Sequence, residues 1–64
     1  MKFILEIDCD NDAFFGAVGD KSDAAAEVSR ILTPVVKMLA QGYVSFPQLR
    51  DTNGNVVGSA EIVQ

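Results

Sequence analysis

Asp51-Thr52-Asn53-Gly54-Asn55, running into Val56-Val57-Gly58-Ser59-Ala60-Glu61-Ile62-Val63, is the stretch that decides the fold. Asn-Gly supplies the positive φ angles that tight hairpins need, so the segment joins two antiparallel strands. Either a two-residue turn or a three-residue loop with a bulge at Gly54 fits it. The choice decides which of Val56 and Val57 faces inward, because a slip of one residue moves every side chain to the opposite face. Upstream, Tyr43 to Arg50 is rich in β-formers but holds Pro47, which belongs at an edge or a strand start.

Further back, Val28, Ile31, Leu32, Val35, Val36 and Leu39 recur at helical spacing, and the stripe extends back through Ala24 and Ala25. This predicts one amphipathic helix over about Asp23 to Gln41. Asp20 or Ser22 can cap it, acids crowd its first turns, Arg30 and Lys37 sit later, and Gly42 follows as a left-handed stop. Pro34 removes a bond to the Arg30 carbonyl. The apolar stripe keeps its phase across Pro34, which favours one kinked helix over two helices with Thr33 and Pro34 at the join.

At the start, Met1 to Asp10 alternates with period two: Phe3, Leu5, Ile7 and Cys9 on one face, Lys2, Glu6, Asp8 and Asp10 on the other. Ile4 is the apolar intruder on the polar face, placed where a strand end or a partner could cover it. The element order is then β-α-β-β. Strand and helix are both about 27 to 29 Å long, so the helix can return the chain along the strand it covers. Right-handed crossover and hairpin pairing allow the last strand to lie between the other two, or the first two to be adjacent and parallel. The former puts Pro47 at an edge and is preferred. The expected fold is a single α+β domain over residues 1–64, a two-layer β-α-β-β sandwich with one kinked helix on a three-stranded sheet. Its expected core is Phe3, Leu5, Ile7, Val28, Ile31, Leu32, Val35, Leu39, Leu49 and Ile62.

Sixty-four residues bury only about 60% of the unfolded chain's surface, which leaves no room for a large cleft and places function on the outside. Cys9 is the one cysteine and cannot close an internal disulfide, and neither a leader nor a run of eighteen apolar residues appears. A reducing cytoplasm is the expected compartment. The net charge of −4 is uneven: residues 1–27 carry −5 and the remainder +1. Such a half repels nucleic-acid phosphates and anionic lipid and attracts basic protein surfaces or cations.

Glu6, Asp8, Asp10 and Asp12 stand two residues apart, about 6.8 Å along one side of an extended strand. They read either as a solvated outer face that discourages edge pairing or as a row of charge that docks on a basic groove. Asp8, Asp10 and Asp12 also match the first ligand positions of a calcium loop. Ala13 stands where that loop needs glycine and Gly19 where it needs a bidentate glutamate, so no metal site is expected. Asp8-Cys9-Asp10 after an apolar strand faintly resembles the strand-end Asp-x-Asp of haloacid-dehalogenase-type phosphatases, whose fold needs a far larger sheet. Gly16 to Ser22 fails the phosphate-loop pattern, since Asp20 replaces its second glycine.

No histidine is present to activate Cys9, and the alternation turns Cys9 toward the core. Paired carboxylates on an open face have no pocket to split their pKa values. The expectation is a non-enzyme without a cofactor. Phe14 and Phe15 divide between a core role under the helix start and an aromatic anchor beside the acids.

The opening Met1 to Ile7, Asn11-Asp12-Ala13-Phe14, the helix centre Ala26 to Leu32, and Leu49 to Gly58 with Glu61-Ile62 resemble small acidic proteins of bacteriophages and other mobile elements. That resemblance implies a protein acting by occupying a host protein, as anti-CRISPR inhibitors that imitate DNA do. Pro34 and the lead-in Val44-Ser45-Phe46-Pro47 depart from the pattern, and no site residue carries over. The expected function is a non-enzymatic inhibitor or modulator that covers a basic, nucleic-acid-binding surface of a host defence protein, such as a CRISPR effector subunit. Glu6, Asp8, Asp10, Asp12, Phe14, Phe15, Asp20 and Asp23 would form the contact, with neither nucleic acid nor membrane bound directly. The alternative is a self-associating structural or accessory module, since so small a core gains from burying an open sheet edge in a homodimer.

Overall fold

The computed structural model describes residues 1–16 and 20–64. Its elements are β1 (Lys2–Ile7), a 3-10 turn (Asp12–Phe14), α1 (Lys21–Ala40), β2 (Leu49–Arg50) and β3 (Val56–Val63). One helix lies on a three-stranded sheet of order β1-β3-β2, with β3 antiparallel to both neighbours. This is the expected α+β fold with the last strand in the centre. Ala17, Val18 and Gly19 of the expected glycine loop lie outside the described residues.

The hairpin is the three-residue form. The Gly54 amide donates to the Asp51 carbonyl at 3.0 Å, the Asp51 amide donates to the Asn55 carbonyl at 2.9 Å, and Gly54 sits at φ 85°. A second irregularity follows at once, since Arg50 pairs with Val56 but Leu49 pairs with Gly58. Val57 is thus an extra residue in β3, a bulge that turns it into the core while Val56 stays exposed. From Gly58 onward the strand resumes its alternation, and Gly58, Ala60 and Ile62 face Ile7, Leu5 and Phe3 across the ladder.

Pro47 shortens β2 to two residues, and the lead-in that was expected to be strand makes a single bridge, Ser45 to Glu61. β1 is also shorter than the alternation of residues 1–10 suggests. The Asp8 amide still reaches the Val57 carbonyl at 2.7 Å, but the Asp10 amide then donates to the Asp8 carboxylate at 3.1 Å, a local turn that lifts the chain off the sheet.

α1 runs unbroken through Pro34. Asp20 caps it by accepting from the Ser22 amide at 2.8 Å, and Gly42 at φ 89° ends it. The Thr33 hydroxyl donates to the Ser29 carbonyl at 2.9 Å, within the turn that Pro34 deprives of a backbone donor.

Phe14, Ile31, Val35, Leu49, Val57 and Ala60 form the buried core, with Leu5, Ile7, Cys9, Ala24, Val28 and Leu39 packed around it. Three expected core residues need correction. Phe3 is 46% exposed and meets Phe46 edge to face, with ring centroids 6.2 Å apart. Leu32 and Ile62 are half-buried and lie outside the residues packed on that core. For Leu32 the reason is the roll of the helix: Arg30, Pro34 and Met38 on one flank adjoin Pro47 to Arg50, which leaves the opposite flank, with Leu32 and Val36, away from the core. Phe14, delivered by the 3-10 turn, takes the space beneath the helix start.

Candidate functional site

The acidic residues separate into two groups, and the separation follows from what the backbone asks of each. Glu27 and Asp51 are buried and fully engaged. Glu27 accepts from the Arg30 guanidinium at 2.8 and 3.1 Å and from the Thr52 amide at 2.8 Å. Asp51 accepts from the Asn53 and Asn55 amides, both at 2.9 Å, and from the side chains of Asn55 at 3.3 Å and Asn11 at 3.1 Å. Arg30 also donates to the Arg50 carbonyl at 3.3 Å. The network ties the hairpin loop to the helix on one side and to the start of the 3-10 turn on the other.

The Arg30 hydrogen bond holds the Glu27 carboxyl below its ordinary pKa against the opposing effect of burial, with the Thr52 amide assisting. For Asp51, burial works to raise the pKa, but the donors from Asn55, Asn11 and Asn53 outweigh it and leave the group below its usual range. Both are therefore charged structural anchors. Among the described residues, Arg30 with Glu27 is the ion pair of the molecule.

Glu6, Asp8, Asp10 and Asp12 make the second group. All are exposed, and among the described residues none of them forms an ion pair. Their placement is less regular than the spacing implies. Glu6 lies on the open sheet face opposite Ser59. Asp8 and Asp10 occupy the turn that leaves β1, and Asp12 opens the 3-10 helix. The acids thus form a curved edge around one end of the sheet instead of a straight row. Asp8 raises the Asp10 pKa, first through the hydrogen bond between their side chains and then through charge repulsion. Like charges are held close there, and among the described residues neither carboxylate forms an ion pair.

The remaining candidates divide. Asp20 is committed to capping α1, and its carboxyl is lowered first by the Ser22 hydroxyl and then by the Ser22 amide. Asp23 is half-buried beside Gly16, where an added Cβ would meet its carboxylate at 2.8 Å. Phe14 is 1% exposed, so its ring belongs to the core and not to a contact surface. Phe15, 59% exposed, is the aromatic that faces outward beside Asp12. Cys9 is half-buried and packs against the core. Among the described residues no three metal-ligating side chains converge, and no helix is long and apolar enough to cross a membrane.

Two features escaped the sequence reading although each left a trace. Glu27 and Arg30 stand at i, i+3, a spacing that places them together on a helix, and Asp three residues ahead of a turn glycine is a usual loop organiser. An apolar groove of about 570 Å³ also lies along the tipped flank of α1, lined by Val28, Leu32, Val36 and their neighbours. No protein family, curated protein or solved structure matches this chain.

Proposed function

We propose that the protein is a non-enzymatic binding module that covers a basic surface of another protein with its acidic edge, Glu6, Asp8, Asp10 and Asp12, and with Phe15 beside it. The observation that carries this reading is the contrast between the two acidic groups. Glu27 and Asp51 are consumed in holding the fold together, whereas the four edge carboxylates are exposed and form no ion pair among the described residues. Repulsion between Asp8 and Asp10 costs stability that a cationic partner would return. A nucleic-acid-binding protein is the partner class that such an edge suits, because its surface is already arranged for closely spaced negative charge. A host defence protein of that class, as in anti-CRISPR inhibition, is the specific instance we propose.

The test is a tagged pull-down from a bacterial lysate containing an active CRISPR system, comparing wild type with a variant carrying Glu6→Gln, Asp8→Asn, Asp10→Asn and Asp12→Asn together. The reading requires that wild type retain a nucleic-acid-binding protein, that added DNA and rising salt release it, and that the variant lose it. Equal retention by both proteins, or retention by neither, refutes it.

A further inference from the structure

The two edges of the sheet are unequal. β2 is two residues long and preceded by Pro47, a poor template for pairing. β1 is six residues long, and among the described residues its far side pairs with no strand. We propose that this edge is a homodimer interface, in which β1 pairs antiparallel with β1 of a second copy about a two-fold axis through Ile4, joining two sheets into one of six strands.

Main-chain parity supports the pairing. The Asp8 amide bonds to Val57, its partner in the ladder register, so the even-numbered residues of β1 direct their amides and carbonyls at β3. By alternation, Phe3, Leu5 and Ile7 direct theirs at the free edge. An axis through Ile4 sets Phe3 against Leu5 of the second copy, a hydrogen-bonded pair that uses those groups.

Charge fixes the register. With the axis at Ile4, Lys2 faces Glu6 of the second copy, twice by symmetry, and Ile4 faces itself between them. An axis at Leu5 would set Ile4 against Glu6, and an axis at Glu6 would set two carboxylates against each other. Lysines on an edge strand ordinarily deter pairing; here the opposite charge at the matching distance turns deterrence into selection. The register also covers Ile4, which is 42% exposed between Lys2 and Glu6 on the outer side of β1.

On the inner side, the flank of α1 away from β2 carries the apolar groove. Its Leu32 and Val36, the latter 60% exposed, would line the cleft between the two helices together with Phe3. A core of six buried apolar residues among those described is small for an independent domain, and joining two copies along an edge enlarges it. Asp8, Asp10 and Asp12 fall beyond the paired segment, so the dimer carries acidic clusters at both ends, with the two Asp8 residues about 27 Å apart along the strand direction. The inference does not depend on the proposed function, since in the dimer Glu6 pairs with Lys2 of the second copy and Asp8, Asp10 and Asp12 alone carry the acidic edge; its test uses the isolated protein.

Sedimentation equilibrium at about 0.1 mM, above the Kd of a micromolar interface, should give a mass near twice 6.9 kDa. Ile4→Lys, which sets two like charges on the axis, should return the monomer with helix and sheet intact by circular dichroism. Lys2→Glu should weaken association at least about 5-fold, and adding Glu6→Lys should restore it. In a Cys9→Ser background, Ile4→Cys should cross-link on oxidation, because a non-hydrogen-bonded pair brings its Cα atoms to about 4.5 Å. Glu61→Cys, one strand further in, should not. A monomeric wild type overturns the inference. So does a dimer indifferent to Ile4→Lys, or one in which Ile4→Cys fails to link.

Discussion

Replacing Gly58 by alanine tests the register on which both the core and the free edge depend. Gly58 stands opposite Ile7 in the ladder and next to the Val57 bulge. A Cβ built there overlaps the Glu6 carbonyl oxygen and comes within 2.9 Å of the Glu6 carbonyl carbon and 3.0 Å of the Ile7 Cα. All three atoms are backbone, so no side chain can swing aside, and relief requires β1 and β3 to part where Ile7 and Val57 meet the core. Overpacking costs about 1 to 3 kcal/mol, and this contact falls at the upper end because the obstruction is main chain. With an unfolding entropy of about 2.1 cal/mol/K per residue, a 64-residue chain loses about 22 °C of Tm for 3 kcal/mol. Gly42→Ala is the control: its added Cβ meets nothing within 4 Å, and its cost is the φ of 89° alone, about 1 to 2 kcal/mol or roughly 7 to 15 °C. Thermal melts followed by far-ultraviolet circular dichroism at one fixed protein concentration read both. If Gly58→Ala melts within about 3 °C of wild type, the β1 to β3 register and the bulge are wrong.

Ile31→Ala should cost about 2 to 5 kcal/mol, enough to unfold much of the population at room temperature, whereas Leu32→Ala, on the tipped flank, should cost clearly less; urea titration of the pair gives the order, and equal costs would place both in the core. Glu27 and Asp51 have lowered pKa values in the fold, so their contribution is fully present above the ordinary carboxylate pKa of about 4 and is lost as pH falls through the folded values. Tm should therefore drop steeply below that pH, and Glu27→Gln should flatten the acid limb. Asp10 runs the other way: its raised pKa means that the stability tied to it is present at low pH and lost as the carboxyl ionises. Asp10→Asn should raise Tm at pH 7 and leave it unchanged at pH 3, where the residue is neutral in both proteins; a gain that persists at pH 3 would point to a cause other than charge.

What was legible in the sequence was what neighbouring residues decide among themselves. The first strand, the long helix, the cap at Asp20 and the Asn53-Gly54 turn each rest on spacings within about four residues, and each forms where expected, although Phe3 and Leu32 stay outside the core. Strand order followed as well, because Pro47 excludes the second strand from the sheet centre. The two readings of the hairpin could be separated only by which carbonyl the Gly54 amide meets, and the second bulge at Val57 depends on Leu49 reaching past it to Gly58. The spacing of residues fixes neither of them. The roll of the helix was equally hidden, since the apolar arc of α1 is wider than the sheet can cover and the pattern does not say which part is left over.

That surplus bears directly on what the surface can do. A stripe holding both Ile31 and Val36 looks in sequence like one face seeking one core. In the fold, Ile31 and Val35 join Leu49 and Val57 in the buried core, while Val36 stays exposed on the flank of the helix. The acids show a parallel division, since a count of charges cannot distinguish Glu27, which is locked to Arg30 and Thr52, from Asp10, which is pressed against Asp8. Subtracting the side chains that the fold consumes leaves two exposed resources on opposite sides of one strand end. The paired stretch from Lys2 to Glu6 is self-complementary in charge and hydrogen bonding, and the stretch from Asp8 to Asp12 repels itself. The first suits a second copy of the chain. The second cannot pair with itself, and in either oligomeric state it stays free for a cationic partner.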